Sequence, residues 1–367
     1  MFNKRKHERE RLVVEFYNIS PEDKKFAREL VKKYGQNSIS YLALEDDKML
    51  FFGKNADGIV AFGIIGHVVV VCGDPICAPK DFSVLLNDFH DFCHEHSYQC
   101  TFLGVTAAFI KEYEAMGYKH VKAGDEAIFE LKEYNLSGGK MQKMRANVNH
   151  ANKAGLTTHE YKPNDGRDSD IEQGILAVSE EWLADKKSGQ LGFSVGGVGL
   201  ENPLDRRYFY VTDNADKIVA FNVYIPFAGM NGYLADVTRR LHNAPSGATE
   251  KINFDAFTVF NEEGVKWGSL GLSPLANVHE EGVKDSLATK LLELIYEKCN
   301  GFYGFKDLHH AKEKYTPTSW IPIYIVYSTK IITPEIAYAI IKIQNQGGLS
   351  DFLLSNIKER LHGHIKK

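Results

Sequence analysis

Apolar and polar positions alternate along this chain in two rhythms, and the rhythms recur in the same order in each half. SPEDKKFARELVKKYG places Phe26, Leu30 and Val31 on one face at helical spacing, with Ser20 and Pro21 as a start and Gly35 as a stop. YLALE, KMLFFG, GIVAFGII and HVVVVC follow as short apolar runs between turn residues, which predicts a meander of strands. A helix over DFSVLLNDFHDFCHEHS, a strand over CTFLGVT, a short helix over AAFIKEYEAMG and a strand over EAIFEL complete the first half.

The second half repeats that order without repeating the residues. RYFYVTD, KIVAFNVYIP and MNGYLADV predict a meander, ATEKINFDAFTVFNEEG a helix, KWGSLGL a strand, SLATKLLELIYEKC a helix and WIPIYIVYS a strand. Between the halves lie a basic helix, GGKMQKMRANVNHANKAG, and an amphipathic one, SDIEQGILAVSEEWLADK. The expected division is therefore 1–135, 136–330 and a helical appendage over 331–367, formed by TPEIAYAIIKIQNQ and SDFLLSNIKERLHGHIKK. The fold class is α/β with mixed sheets, in tandem units.

Composition narrows the class. The 367 residues are 44% hydrophobic and 25% charged, the mix of a folded globular chain. IVAFGIIGHVVVVC contains His67 and two glycines and divides into two strands better than it spans a membrane. The N-terminal MFNKRKHERERLVVEFYN lacks the apolar core and cleavage site of a secretion signal, so a cytoplasmic location is expected. Five cysteines without paired CxxC spacing suggest neither a disulfide scaffold nor a zinc ribbon. A formal charge of −4 argues against an indiscriminate nucleic-acid binder, so a phosphate-rich partner must meet a local basic patch.

Each half places an aspartate in the crossover from meander to helix, Asp74 in GDP and Asp236 in ADVTRR. Mixed sheets bind ligands where neighbouring strands separate, so Asp236 with Arg239 and Arg240 marks a candidate site, against the plainer alternative of a surface ion pair. A break into a turn after Val237 would bring Asp236 and Arg239 together. FKDLHHAKEKYTP forms a second basic cluster with Lys306, His309, His310, Lys312 and Lys314. GFSVGGVGL contains a GxSxG string but lacks the strand-turn-helix setting of a hydrolase nucleophile, and reads as a mobile loop or lid beside the pocket, against the alternative of a plain connection. In CHEHSYQC, His94 and His96 face about 200° apart on a helix, which opposes joint metal coordination.

Several of these strings together resemble the catalytic domain of the phosphatidylglycerol lysyltransferases, also called aminoacyl-phosphatidylglycerol synthases. They are VVVVCGDPI, KAGDEAIFEL, GGKMQKMRANVNHANKAGL, VSEEWLADK, LADVTRRLHNAPSGATEKINFDAF, WGSLGLSPLANV and FYGFKDLHHAKEKYTP, in the family's order from about Ser40 to Ser328. The resemblance implies two GNAT-type acyltransferase units and transfer of an aminoacyl group from aminoacyl-tRNA to the hydroxyl of a phosphatidylglycerol headgroup or a related acceptor. The donor is an activated ester, so the implied chemistry needs no cofactor, neither ATP nor metal nor nicotinamide, and the enzyme supplies orientation and charge stabilisation.

The site residues this implies are Asp236, to orient the attacking hydroxyl or hold the substrate ammonium, and Arg239, whose planar fork suits a phosphate. Arg240 comes second, as a peripheral charge; Glu250 with Lys251 adds an acid and a base to the rim, against the alternative of interaction with the helix N-terminus, and Lys312 faces the site, against the alternative of an ordinary exposed lysine. Arg145 and Lys153 belong to a basic ridge for the tRNA acceptor end, against the alternative of a solvated helix. Membrane-bound members carry a transmembrane domain before the catalytic part. Here no span precedes the matching strings, so lipid access is expected by peripheral docking. Two departures bear on the substrate. Pro245 and Gly247 lead to Ala248, Thr249 and Glu250 where the family has Met-Asp, and WIPIYIVYS lacks an Arg that often precedes its Tyr. The competing classes are an acyl-CoA-dependent GNAT N-acyltransferase and a noncatalytic lipid- or tRNA-binding protein.

Overall fold

The computed structural model describes residues 13–15, 20–184, 191–278 and 305–344. The first half runs β1 (Val13–Glu15), α1 (Pro21–Tyr34), β2 (Met49–Phe52), β3 (Gly58–Ile65), β4 (Val68–Cys72), β5 (Ile76–Cys77), α2 (Phe82–Glu95), β6 (Gln99–Thr106), α3 (Ile110–Ala115) and β7 (Lys119–Glu130). There follow α4 (Gln142–Lys153), β8 (Thr157–Tyr161), α5 (Ser169–Ala184), β9 (Arg207–Thr212), β10 (Ile218–Phe227), β11 (Gly232–Arg240), α6 (Ala248–Glu262) and β12 (Trp267–Pro274). The described residues close with α7 (Phe305–Glu313), β13 (Ser319–Tyr327) and α8 (Pro334–Gln344). The expected helices SLATKLLELIYEKC and SDFLLSNIKERLHGHIKK lie outside the described residues.

The strands join in one mixed α/β sheet, ordered β1-β2-β3-β4-β6-β13-β7-β12-β11-β10-β9-β8, with β5 beside β3. Its centre is an exchange of strands. β7, the last strand of the first half, pairs antiparallel with β12 of the second, while β13, the last strand of the second, pairs antiparallel with β6 of the first. β7 and β13 then pair with each other from Ser319 opposite Ile128 to Tyr327 opposite Lys119. Each half therefore holds the closing strand of the other. β4 pairs parallel with β6, and β11 with β12, so the arrangement reads alike from either end.

Both strands that border the exchange carry a bulge built on a left-handed glycine. On β6 the extra residue is Gly104, between the pairs Leu103–Ile325 and Val105–Tyr324; on β12 it falls at Leu270 and Gly271, between the pairs Ser269–Ile128 and Leu272–Glu126. Their φ angles are 78° and 75°, which a glycine adopts without a Cβ clash.

Two expected elements differ. YLALE forms a 3-10 helix over Ser40–Leu44 rather than a strand, and all five of its residues are buried. Ser40 and Leu42 donate to Asn37 and Ile39 carbonyls three residues back, so its backbone groups are satisfied locally instead of by a sheet neighbour. The stretch over 334–344, expected in an appendage, is α8, and it packs on β3, β4 and β6. Its buried Ile336, Ala337, Ile340 and Ile343 recur at helical spacing and join the same core as Val68, Val70 and Leu103.

Candidate functional site

A cavity of 490 Å³ opens where β11 and β12 part. The two strands pair only through Gly232–Trp267, Tyr233–Gly268 and Leu234–Ser269. Beyond that point β11 lines one wall from Leu234 to Arg239, and the bulge of β12 lines the other from Leu270 to Leu272. The first half reaches in with Asn37, Ser38 and Glu126, and residues 194–196 contribute a further edge. The rest of the lining is largely aliphatic, from Ile39 and Leu103 to Ile323 and Ile340.

Asp236 stands at a bulge of its own. Tyr224 of β10 faces Ala235 and Val223 faces Val237, which leaves Asp236 as the unopposed residue. The expected turn after Val237 is absent: β11 continues to Arg240, and the single extra residue does the re-aiming instead. One carboxylate oxygen, Oδ1, accepts the Gly196 N–H at 3.1 Å; the other, Oδ2, is buried with no hydrogen-bond partner. Burial pushes this carboxyl up to about 6, against the Gly196 hydrogen bond and the nearby Arg206 and Lys48, which favour the charged form. A Cβ on Gly196 would sit 2.2 Å from Oδ2, so only glycine lets that loop close over the acid.

Arg239 is 4% exposed. Its Nη1 donates to the Ser179 hydroxyl on α5, and its guanidinium lies 5.3 Å from the Trp182 ring centre. Arg240, one residue on, is exposed and outside the cavity lining, as the alternation of a strand requires.

Lys312, on α7, is also buried. Its Nζ donates to the carbonyls of Gly271 at 2.9 Å and Leu272 at 2.8 Å, at the bulge of β12. Burial brings this amine down to about 7, with Glu126 pulling the other way. Glu250 sits just behind the lining. It pairs with Lys314 at 2.5 Å and accepts from Thr249 at 2.9 Å, and these bonds hold its carboxyl below the usual range despite burial. Lys314 and Thr249 themselves face the cavity.

The structure thus gathers Asp236, Arg239 and Lys312 on one cavity, with Glu250 behind it. Arg145 and Lys153 lie elsewhere. Arg145 donates to the carbonyls of Leu136 and Gly138 at the start of α4, and Lys153 is exposed at that helix's end. The helix buries Met144 and Val148 and exposes Lys143, His150 and Lys153.

Two groups at the site are not among the candidate site residues. Glu126 is 2% exposed and lines the cavity from the exchanged β7; its place in the family-like string KAGDEAIFEL, as an acid beside the apolar run AIF, is the signal that could have found it. Arg206 is buried, donates to Glu45 and to the Asn202 carbonyl at 3.1 Å, and acts electrostatically on Asp236; no spacing links these residues. The GFSVG loop does edge the cavity. It is tied down by the Phe193 N–H donating to Asp47 at 3.0 Å, the Gly196 N–H to Asp236, and Gln344 to the Ser194 hydroxyl at 3.2 Å. The described residues contain no helix long and apolar enough to cross a membrane.

Comparison with known proteins gives one consistent result. The family profile described as phosphatidylglycerol lysyltransferase, C-terminal, matches residues 28–327. A phosphatidylglycerol lysyltransferase of Staphylococcus epidermidis is 29% identical over 301 residues, covering 81% of this chain and 35% of the relative. One from Bacillus subtilis is 28% identical over 293 residues, 80% of this chain and 34% of the relative. The chain therefore spans about a third of the length of these relatives. The solved structure of L-PGS from Bacillus licheniformis superposes with a TM-score of 0.75 at 24% identity, covering 89% of this chain and 97% of the other, and shares the fold.

Proposed function

This chain belongs to the family of phosphatidylglycerol lysyltransferase C-terminal domains, and from that premise we propose that it is an aminoacyltransferase. It moves an aminoacyl group from aminoacyl-tRNA to the hydroxyl of phosphatidylglycerol or a closely related acceptor. The relatives are named for lysyl transfer to that lipid, which supports the acceptor. The observation that carries the reading is the carboxylate of Asp236, held by one backbone donor with its second oxygen buried and unpartnered at the opening of β11 from β12.

In the reaction the acceptor hydroxyl oxygen attacks the ester carbonyl carbon, and the bond from that carbon to the ribose oxygen breaks. The proton lost by the hydroxyl ends on the ribose oxygen. Asp236 takes the hydroxyl's hydrogen bond at Oδ2 and is positioned to receive its proton; a carboxyl near 6 is ionised at neutral pH and still basic enough for that task. Arg239 is the anion-binding residue, preset by Ser179 and Trp182. Lys312 presents an N–H to a substrate oxygen, where charge develops. Glu250 holds Lys314 at the rim, while Arg240, Arg145 and Lys153 meet tRNA phosphates outside the cavity. The protein docks on the membrane surface from the cytoplasmic side to reach its acceptor. Residues 1–135 and 136–330 are the two acyltransferase-like units.

The test is transfer of radiolabelled amino acids from a mixed aminoacyl-tRNA pool into phosphatidylglycerol vesicles, by the intact chain and by Asp236→Asn. Labelled lipid formed by the intact chain and lost in the variant supports the proposal and names the amino acid. No labelled lipid from any donor overturns it.

A further inference from the structure

The cavity holds a second ionisable pair, and its members come from different halves of the molecule. Lys312 stands on α7, and Glu126 on β7, the strand that the first half lends to the second. They are 8% and 2% exposed, and both line the cavity. An ammonium carries three N–H donors. Two of those on Lys312 go to the Gly271 and Leu272 carbonyls, which leaves one for the cavity. Glu126 is fixed by neutral donors, the hydroxyls of Ser269 on β12 and Ser38 after α1.

A lysine aimed by backbone carbonyls is well placed in space, but carbonyls alone do not keep it charged. Burial in a largely aliphatic wall favours the neutral amine, which accepts rather than donates at its remaining position. The neighbouring ionisable groups are already committed. Asp125, next to Glu126 on β7, pairs with Lys122 at 2.7 Å; Lys314, on the turn after α7, pairs with Glu250 at 2.5 Å. His309 lies tilted against Trp320 with ring centres 4.2 Å apart, and its Nε2 is 3.4 Å from Glu313, which His310 also bonds at 2.8 Å on the exposed side of α7. From β11, Asp236 is influenced by Glu45, Arg206 and Lys48. Lys312 donates to the Leu272 carbonyl, and Leu272 lies opposite Glu126 in the β12–β7 register, so the Lys312 and Glu126 side chains meet at one end of the cavity. Burial pushes the Glu126 carboxyl up, while the Ser269 and Ser38 hydroxyls and Lys312 favour its charged form.

We propose that Glu126 is a positioning residue: from the exchanged strand it holds Lys312 in the charged form, so that the third N–H of the ammonium is available to the substrate. The role of Lys312 toward substrate rests on the transfer reaction proposed above; the influence of Glu126 on Lys312 does not. The exchange of strands thereby has a chemical consequence, since the first half supplies a carboxylate that raises the protonated share of a second-half lysine.

Two readouts separate these layers. The first is the titration of Lys312 followed by NMR on protein labelled with 13C at lysine Cε, its resonance identified by its loss in Lys312→Arg. In Glu126→Gln the Lys312 midpoint falls by about one pH unit, the low end expected for removing a nearby opposite charge. In Glu126→Asp it stays close to that of the unaltered protein, which also controls for folding. The second is the pH dependence of transfer. Activity rises as Asp236 ionises and falls as Lys312 loses its proton, and Glu126→Gln moves the alkaline limb down by the same amount, with the acid limb in place. At pH 8 that is about a tenfold loss, recovered in part toward pH 6.5. An unchanged Lys312 midpoint in Glu126→Gln overturns the proposal, as does an equal loss of rate at every pH. If the unaltered protein transfers nothing while the Lys312 midpoint still falls in Glu126→Gln, the transfer reaction fails and the influence of Glu126 on Lys312 stands.

Discussion

The two crossovers from meander to helix carry equivalent aspartates, each with one buried oxygen that has no hydrogen-bond partner, Asp74 Oδ1 and Asp236 Oδ2; they differ in what holds the other oxygen and in whether a cavity opens beside them. In the first half Asp74 Oδ2 accepts three bonds, from the Asn37 amide at 2.8 Å, the Thr106 N–H at 3.1 Å and the Thr106 hydroxyl at 3.0 Å. β4 and β6 stay joined beside it, through Cys72–Leu103 and the Gly73 N–H to Leu103 at 2.7 Å. In the second half Asp236 has one backbone donor, and β11 and β12 part to form the cavity. Burial pushes both carboxyls up to about 6. Similar desolvation therefore serves a seal in one place and a candidate reaction centre in the other. The deciding difference is whether the partner strand and its donors remain in reach. The closed half is still used: the Asn37 that bonds Asp74 also lines the other half's cavity, beside Ser38 and near Glu126.

The largest effect tests that asymmetry directly. Asp236→Asn keeps the shape and removes the base, and the expected loss of transfer is about 10²-fold or more. Asp74→Asn, in the sealed half, changes transfer by less than about tenfold, because it touches no substrate. Single-turnover assays on both variants decide the matter. Comparable losses in the two would mean that the sealed aspartate is part of the same reacting unit.

Gly196→Ala sharpens the comparison at its next level. The added Cβ would meet Asp236 Oδ2 at 2.2 Å, so the loop or the carboxylate must shift. A displacement of about 1 Å at a reacting group costs on the order of 10²-fold in rate. Transfer therefore drops by about that factor, with a small change in melting temperature. Calorimetry and transfer assays run together check it. Full activity in Gly196→Ala would show that Asp236 does not need its present geometry.

Much of this architecture is legible in the amino-acid sequence. Helices and strands follow their periods, and Asp236, Arg239 and Lys312 stand in short strings that the fold gathers on one cavity. The strand exchange is not legible, because a period of two shows that WIPIYIVYS is a strand and says nothing about which strand it lies beside. The bulge at Asp236 is hidden for a related reason. It is a one-residue offset between two strands, and neither strand carries it alone. Glu126 reads in the sequence as the charged end of an apolar run, and its burial depends on β12 and the loop after α1.

The Glu250–Lys314 pair gives the stability of the fold a pH signature. The Lys314 bond holds the Glu250 carboxyl below the range it has in the unfolded chain, so its contribution is present above that range and is lost as pH falls through the lowered value. Lys314→Met therefore destabilises the fold by about 2 kcal/mol at pH 7, and the difference from the unaltered protein shrinks in acid. Denaturant melts at neutral and acid pH measure this. A difference that does not change with pH would mean that lost packing, not the ion pair, is responsible.

The smallest effects belong to residues outside the cavity, and they mark where the comparison between the halves stops. Lys153 and Arg240 are exposed, so neither can orient a reacting atom from its present position. If they meet tRNA phosphates, replacing either with Ala raises KM by a few-fold and leaves kcat unchanged, since a contact made equally in ground and transition states lowers affinity alone. Each lost contact also flattens the salt dependence of binding, by a slope of about 0.7 to 0.9 per phosphate. Titrating aminoacyl-tRNA affinity against salt for the two variants reads that slope directly. An unchanged slope with unchanged KM leaves both as solvated surface charges and confines recognition of the donor to the cavity and its rim.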